Sequence, residues 1–204
     1  MTLVLYVGTK HTSSWSLRPF LALVQSGLPF ETRTIALDQP TSRAEMLRVS
    51  PSAKVPVLHY GELAIWDSLA ICEYLAERVP ALWPADRIER VRARTIAAEM
   101  HSGFAALRQH MPMELLQQRH GQGHVPEALA DAARVQAIWR DALGRSGGPL
   151  LFGDFSITDA MFAPVVTRFQ TYGVDLDASC RAYVASVEAL PGMKRWRAEA
   201  RAEA

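Results

Sequence analysis

Every strand-like run in this 204-residue chain falls within residues 1–80, and helical periodicity takes over after Pro84. Up to that point strand and helix signals alternate, as a βαβ arrangement requires. Leu3 to Val7 reads as a strand, followed by the polar loop Gly8 to Ser14 and a helix from about Trp15. That helix carries Leu17, Phe20, Leu21 and Val24 on one face and stops at Gly27. Phe30 to Leu37 predicts a second strand and Arg43 to Val49 a short helix. Val55 to His59 and Leu63 to Trp66 flank a Gly-bearing turn, and a third helix starts at Ser68. The Pro-flanked stretch 81–87 is the expected linker between a domain over 1–80 and a helical domain over 88–204.

In the second part, Ile88, Val91, Met100, Phe104, Leu107 and Met111 predict one long amphipathic helix ending at Pro112. Pro126 opens another, with Leu129, Val135, Ile138 and Leu143 on its buried side and Gly144 and Gly147-Gly148 closing it. Ser156 and Asp159 match a capping box before an apolar run that contains Pro164. A further helix over Ala178 to Leu190 and a short amphipathic piece bearing Trp196 complete the reading.

Composition narrows the function classes. Hydrophobic residues make up 49% and the net charge is +1, so nothing in the charge balance favours nucleic acid or a membrane surface. The start of the chain enters a strand with no basic leader, and an unprocessed cytoplasmic protein is expected. Cys72 and Cys180 lie far apart and outside any CxxC pattern, which argues against a dithiol redox site. His120 and His124 share helical spacing, but Gly121 and Gly123 lie between them with no third ligand nearby, so no metal is expected.

Two short stretches carry the chemistry. Val55 precedes Pro56, which forces an extended backbone at a strand end and leaves peptide groups free to pair with an extended ligand. Asp67-Ser68 then places a carboxylate and a hydroxyl at a helix start, where backbone N–H groups attract anions. A peptide-like ligand with both an amine and a carboxylate suits such a site. Thr12, Ser13, Ser14 and Ser16 lie between the first strand and first helix. Serine and threonine are also the common N-cap residues, so these residue types leave capping and catalysis both open.

Taken together, Thr12 to Arg18, Lys54-Val-Pro56, Asp67-Ser68, the helical second part and the Ser156-to-Asp159 box resemble a cytosolic glutathione S-transferase of the serine type. The resemblance implies a thioredoxin-like α/β domain, an all-α domain with a hydrophobic substrate pocket, glutathione as co-substrate, and a homodimer. It implies that Ser13, or Ser14 as runner-up, donates its hydroxyl to the glutathione sulfur. Val55, ahead of a cis Pro56, would pair with the cysteinyl backbone, Asp67 and Ser68 would hold the γ-glutamyl end, and Lys54 would lie near the glycyl or cysteinyl part. His101, Phe104 and Arg108 become candidates for the second-substrate pocket or an interface, with packing the better reading for Phe104 and capping or solvation for Arg108. The double serine also resembles the zeta class, which includes maleylacetoacetate isomerases, although Trp15 stands where that class has cysteine. The implied activity is attack of a glutathione thiolate on a hydrophobic electrophile. Isomerase or reductase chemistry, or a non-catalytic glutathione-binding stress protein, are the alternatives.

Overall fold

The computed structural model describes residues 2–203. A four-stranded sheet, ordered β2-β1-β3-β4, is built from β1 (Leu3–Gly8), β2 (Phe30–Ile35), β3 (Val57–Tyr60) and β4 (Leu63–Ile65). β1 and β2 run parallel, so the chain needs a crossover between them, and α1 (Ser14–Ser26) supplies it. β3 pairs antiparallel with β1, and β4 with β3. Helices α2 (Ser42–Val49) and α3 (Ser68–Arg78) complete this part. Beyond a 3-10 turn at Pro80–Leu82 follow α4 (Arg87–Ser102), α5 (Ala105–His110), α6 (Pro126–Ser146), α7 (Ile157–Tyr172), α8 (Ala178–Ala189) and α9 (Pro191–Ala202). No described helix is long and apolar enough to cross a membrane.

α1 is the element on which the molecule is assembled. The sequence gives it one apolar face, yet every residue from Ser16 to Leu23 is buried, Arg18 included. It packs on α3 and β1 on one side and on α7 and α9 on the other. A helix covered all round is what joins the sheet and the helical part into one continuous core. α7 is the second such axis, buried along nearly its whole length.

Two helical expectations are corrected. The long helix expected to reach Met111 breaks at Gly103-Phe104, where Phe104 adopts a positive φ of 62° and α5 starts afresh. Gly103 makes the break possible, because a Cβ there would lie 2.8 Å from the Glu99 carbonyl oxygen. Ile88 and Val91, placed on a buried stripe by spacing, are instead exposed on α4, as Leu129 is on α6. α6 runs through Gly144 and stops at Gly147, one of the glycines expected to close it, whose left-handed φ of 63° forms the C-cap.

Candidate active site

The loop between β1 and α1 is held tightly from three sides. Gly8 is required at its entrance, since a Cβ there would meet the Ser13 hydroxyl at 2.8 Å and Leu37 at 2.7 Å. Thr9 accepts backbone bonds from Thr12 and Ser13, and Leu115 N–H donates to the His11 carbonyl at 3.1 Å. Lys10, almost fully buried, reaches the end of α9: its ammonium contacts Glu203 and donates to Thr34 Oγ1 at 2.9 Å, with Glu199 at 3.6 Å. The Lys10 peptide N–H also donates to Glu203 at 3.0 Å, and Trp196 Nε1 donates to the Lys10 carbonyl at 2.9 Å. Burial works against the Glu203 charge, but bonds from Lys10 and Thr34 hold its pKa below the ordinary value.

Ser13 and Ser14 come next and differ in use. Ser13 precedes α1 but makes no side-chain cap bond; its hydroxyl donates to Ser16 Oγ at 2.8 Å, which in turn accepts from Gly8 N–H at 3.1 Å. The Ser14 hydroxyl has no protein hydrogen bond among the described residues. Both serines line a cavity of about 360 Å³ with Trp15, Met46, Lys54 and Val55.

The Val55–Pro56 peptide is cis. Val55 lies outside the regular strand, and its peptide groups enter no backbone hydrogen bond among the described residues. That is the free strand end expected from the proline. Across the groove, the Asp67 carboxylate caps α3: Oδ1 accepts from Leu69 N–H at 3.0 Å and Ala70 N–H at 3.3 Å. Its other oxygen, Oδ2, lies 2.9 Å from Nε2 of His101. The Trp66–Asp67 peptide is also cis. Ser68 is buried and its hydroxyl has no protein partner among the described residues, an orphaned group at the start of a helix. These groups, with Trp15, Lys54 and His101, line a second cavity of about 460 Å³. Trp15, Lys54 and Val55 belong to both cavities, so the serine loop and the Asp67-Ser68 corner share one groove.

The three candidate pocket residues separate. His101 lines the larger cavity. Phe104 is buried core, as the packing reading had it. Arg108 turns back on its own chain, donating from Nε to the Gly103 carbonyl at 3.0 Å and contacting the Met100 carbonyl, and so caps the end of α4. Its guanidinium lies 4.8 Å from the centre of the Trp15 ring, and that of Arg18 lies 4.2 Å from it. Arg18 is fully buried with no hydrogen-bond partner on any guanidinium nitrogen among the described residues. Burial first, then the charges of Arg108 and Arg168, pull its pKa well below the ordinary value. Burial likewise brings Arg168 down to about 9. His120 and His124, noted for their spacing, bond to different groups, His120 to Gln118 and His124 to the Tyr172 carbonyl.

Sequence reasoning missed the Asp67–His101 contact, the Lys10 anchor and the buried arginine group. Gly103 was the one readable trace of the break that leaves His101 near the end of α4. The other contacts join residues too distant in sequence to carry a local signal.

Comparison with known proteins agrees with this arrangement. The family description "Glutathione S-transferase, N-terminal domain" matches residues 12–78, and "Glutathione S-transferase, C-terminal domain" matches residues 85–199. Maleylacetoacetate isomerase of Pseudomonas aeruginosa is 30% identical over 184 residues, covering 85% of this chain and 84% of that protein. The Rattus norvegicus protein of the same name is 29% identical over 179 residues, covering 85% and 81%. Among solved structures, a glutathione transferase homologue from Burkholderia gl BGR1 with bound glutathione superposes with a TM-score of 0.77. It is 26% identical and covers 99% of this chain and 100% of its own.

Proposed function

The chain belongs to the glutathione S-transferase family, and on that premise we propose that it binds glutathione in the shared groove and presents the thiolate to an electrophile. The observation that carries this is the convergence of three sets of groups on one groove: the unpaired Val55 peptide, the orphaned Ser68 hydroxyl, and the first-loop serines, of which Ser14 is free and Ser13 is bonded only to Ser16. Each matches a part of an extended tripeptide. Val55 would pair with the cysteinyl peptide as an added strand does. Ser68 and the α3 N-terminus would take the γ-glutamyl carboxylate, Asp67 the ammonium, and Lys54, exposed at the groove edge, the glycyl or cysteinyl part.

The chemistry asked of the serine is modest. A free thiol ionises near ~8.5 and only the thiolate is nucleophilic. Lowering that value by ~2 units takes about 2.7 kcal/mol of preferential thiolate stabilisation. One hydrogen bond to a charged group supplies about 1.5–3 kcal/mol, and the α1 N-terminus about 0.3–1 kcal/mol more. Ser13 is the assigned donor and must rotate from Ser16 to reach the sulfur; Ser14 is the neighbour already free to donate. The serine acts as a hydroxyl donor to the thiolate, so its own deprotonation would defeat the mechanism.

A second reading is favoured by the relatives named above, which are isomerases: glutathione-dependent cis–trans isomerisation, in which the thiolate adds to a double bond and is later expelled. A hydrophobic pocket for the electrophile has weaker support, because Phe104 and Arg108 do not line the groove. Calorimetry with glutathione tests the shared part of both readings, and absence of binding would leave a non-glutathione protein on this fold. Turnover of chloro-nitroaromatic acceptors supports transfer, whereas turnover confined to maleylacetoacetate-type substrates selects isomerisation. A homodimer and a cytoplasmic location complete the proposal. Exposed Trp66, Ile88 and Val91 offer apolar surface for the partner copy, and Val91→Glu should shift the sedimenting species from dimer to monomer.

A further inference from the structure

We propose that His101 is a positioning residue for the amine end of glutathione: it holds the free oxygen of the Asp67 carboxylate and shares it with the γ-glutamyl ammonium. The inference rests on the glutathione reading above. It moves His101 from the second-substrate pocket to the glutathione site and makes α4 part of that site.

The two oxygens of Asp67 have different work. Oδ1 is committed to Leu69 and Ala70 N–H at the α3 start, which fixes the plane of the carboxylate. Oδ2 is left facing the groove, and His101 Nε2 lies 2.9 Å from it. About half of the Asp67 side chain remains exposed, so Oδ2 keeps a lone pair accessible to a ligand cation. His101 is itself held: Trp15 packs edge-on against its ring with centroids 5.4 Å apart.

The surroundings also choose the ring's charge state. Nε2 must carry a proton to donate to Oδ2. Nδ1 is buried without a partner, which costs little for a bare lone pair and much for an N–H. Facing the ring are Asp67 from α3, Arg18 from α1 and Arg108 from α5. Burial and the two arginines oppose a charged ring, Asp67 favours one, and the balance puts the pKa of His101 below its ordinary value. A neutral His101 orients Asp67 without neutralising it, so the carboxylate still attracts an ammonium. A protonated His101 would cancel that charge and repel the ligand. Glutathione binding should therefore weaken as pH falls through the titration of His101, in a range where α-amino and α-carboxyl groups, near ~7.7–8.0 and ~3.3–3.7, change little.

The test is titration calorimetry of the full-length protein with glutathione and with glutaryl-cysteinylglycine, the same tripeptide without the amine. His101→Phe should weaken glutathione binding about tenfold, the low end for one hydrogen bond to a charged group. It should leave the des-amino analogue within about twofold. His101→Gln keeps a neutral donor and should retain affinity at pH 7 while losing the decline on acidification. Equal weakening for both ligands, or a pH profile in His101→Gln that matches wild type, would overturn the assignment. Wild-type protein that binds no glutathione would overturn the glutathione reading, and the assignment with it. Binding by wild type with no change in His101→Phe would overturn the assignment alone.

Discussion

Of the helix starts that carry serine, those of α1 and α7 use it in opposite ways. At α7, Ser156 and Asp159 are spent on their own chain. The Asp159 carboxylate accepts from Ser156 N–H at 2.8 Å, Ser156 Oγ at 3.2 Å, Leu151 N–H at 3.1 Å and Tyr183 O–H at 3.2 Å. At α1, Ser13 occupies the cap position but makes no cap bond and donates only to Ser16, and Ser14 has no protein partner among the described residues. The first start is a rivet in the core and the second faces a cavity. A serine before a helix reads the same in either place; what separates structure from chemistry is whether its hydroxyl is locked into a buried network or borders a cavity with at most one bond to give up.

The largest expected effect breaks the rivet. Asp159→Ala leaves the Leu151 and Ser156 N–H groups and the Tyr183 hydroxyl buried and unpaired. Stranding those donors should cost about 3–5 kcal/mol. For a chain of this length that lowers the thermal midpoint by roughly 6–20 °C. A variant that melts with wild type would show that α7 does not depend on its cap, and the contrast with α1 would lose its first half.

Next is the serine loop. Ser13→Ala should reduce conjugation about 10–100-fold, the equivalent of one charged hydrogen bond. Ser14→Ala should reduce it less. Both should unfold within about 1 kcal/mol of wild type, because Ser13 gives up only its bond to Ser16. Steady-state assays beside denaturant titrations check both halves. Equal activity in wild type and Ser13→Ala would refute the assignment of the donor, and a large loss of stability would make α1 another rivet.

How far the sequence revealed these differences depends on range. The succession of strands and helices in residues 1–80, the extended strand end before Pro56 and the Ser156–Asp159 box follow from neighbours a few residues apart, where Gly, Pro and N-cap rules act. The break at Gly103-Phe104 was hidden by an apolar repeat that continued through it, and only the glycine hinted at the turn. The complete burial of Arg18 could not be read from its neighbours. Its burial depends on α7 and α9 closing over α1, and no local pattern announces a helix that will be covered on every side. The same holds for Lys10, whose carboxylate partner is Glu203 at the far end of the chain.

That anchor gives a smaller prediction. Glu203→Gln keeps an acceptor but removes the nearer of the two carboxylate charges facing the buried Lys10 ammonium, leaving Glu199. The loss should be about 1 kcal/mol, or roughly 2–4 °C in the thermal midpoint. If the α9 end positions the serine loop, the apparent pKa of the bound glutathione thiol, followed by thiolate absorbance, should rise in parallel. A melting shift with an unchanged thiol pKa would make Lys10 and Glu203 a brace with no bearing on the site.

The smallest effect tests the inner side of α3. Ser68 and Cys72 lie one turn apart on this helix, both buried, yet the serine borders the groove and the cysteine enters the core. Burial pushes the Cys72 thiol up to about 12, with Arg18 opposing, and Cys180 up to about 11. Neither is a thiolate at neutral pH, and neither is reachable by a bulky reagent. An aromatic disulfide reagent should therefore label no cysteine in the native protein and both free cysteines after denaturation. Prompt labelling of Cys72 in the folded state would mean that α3 lifts from α1. The Asp67-Ser68 corner rides on the same helix, so its groups could not then be held ready for a ligand.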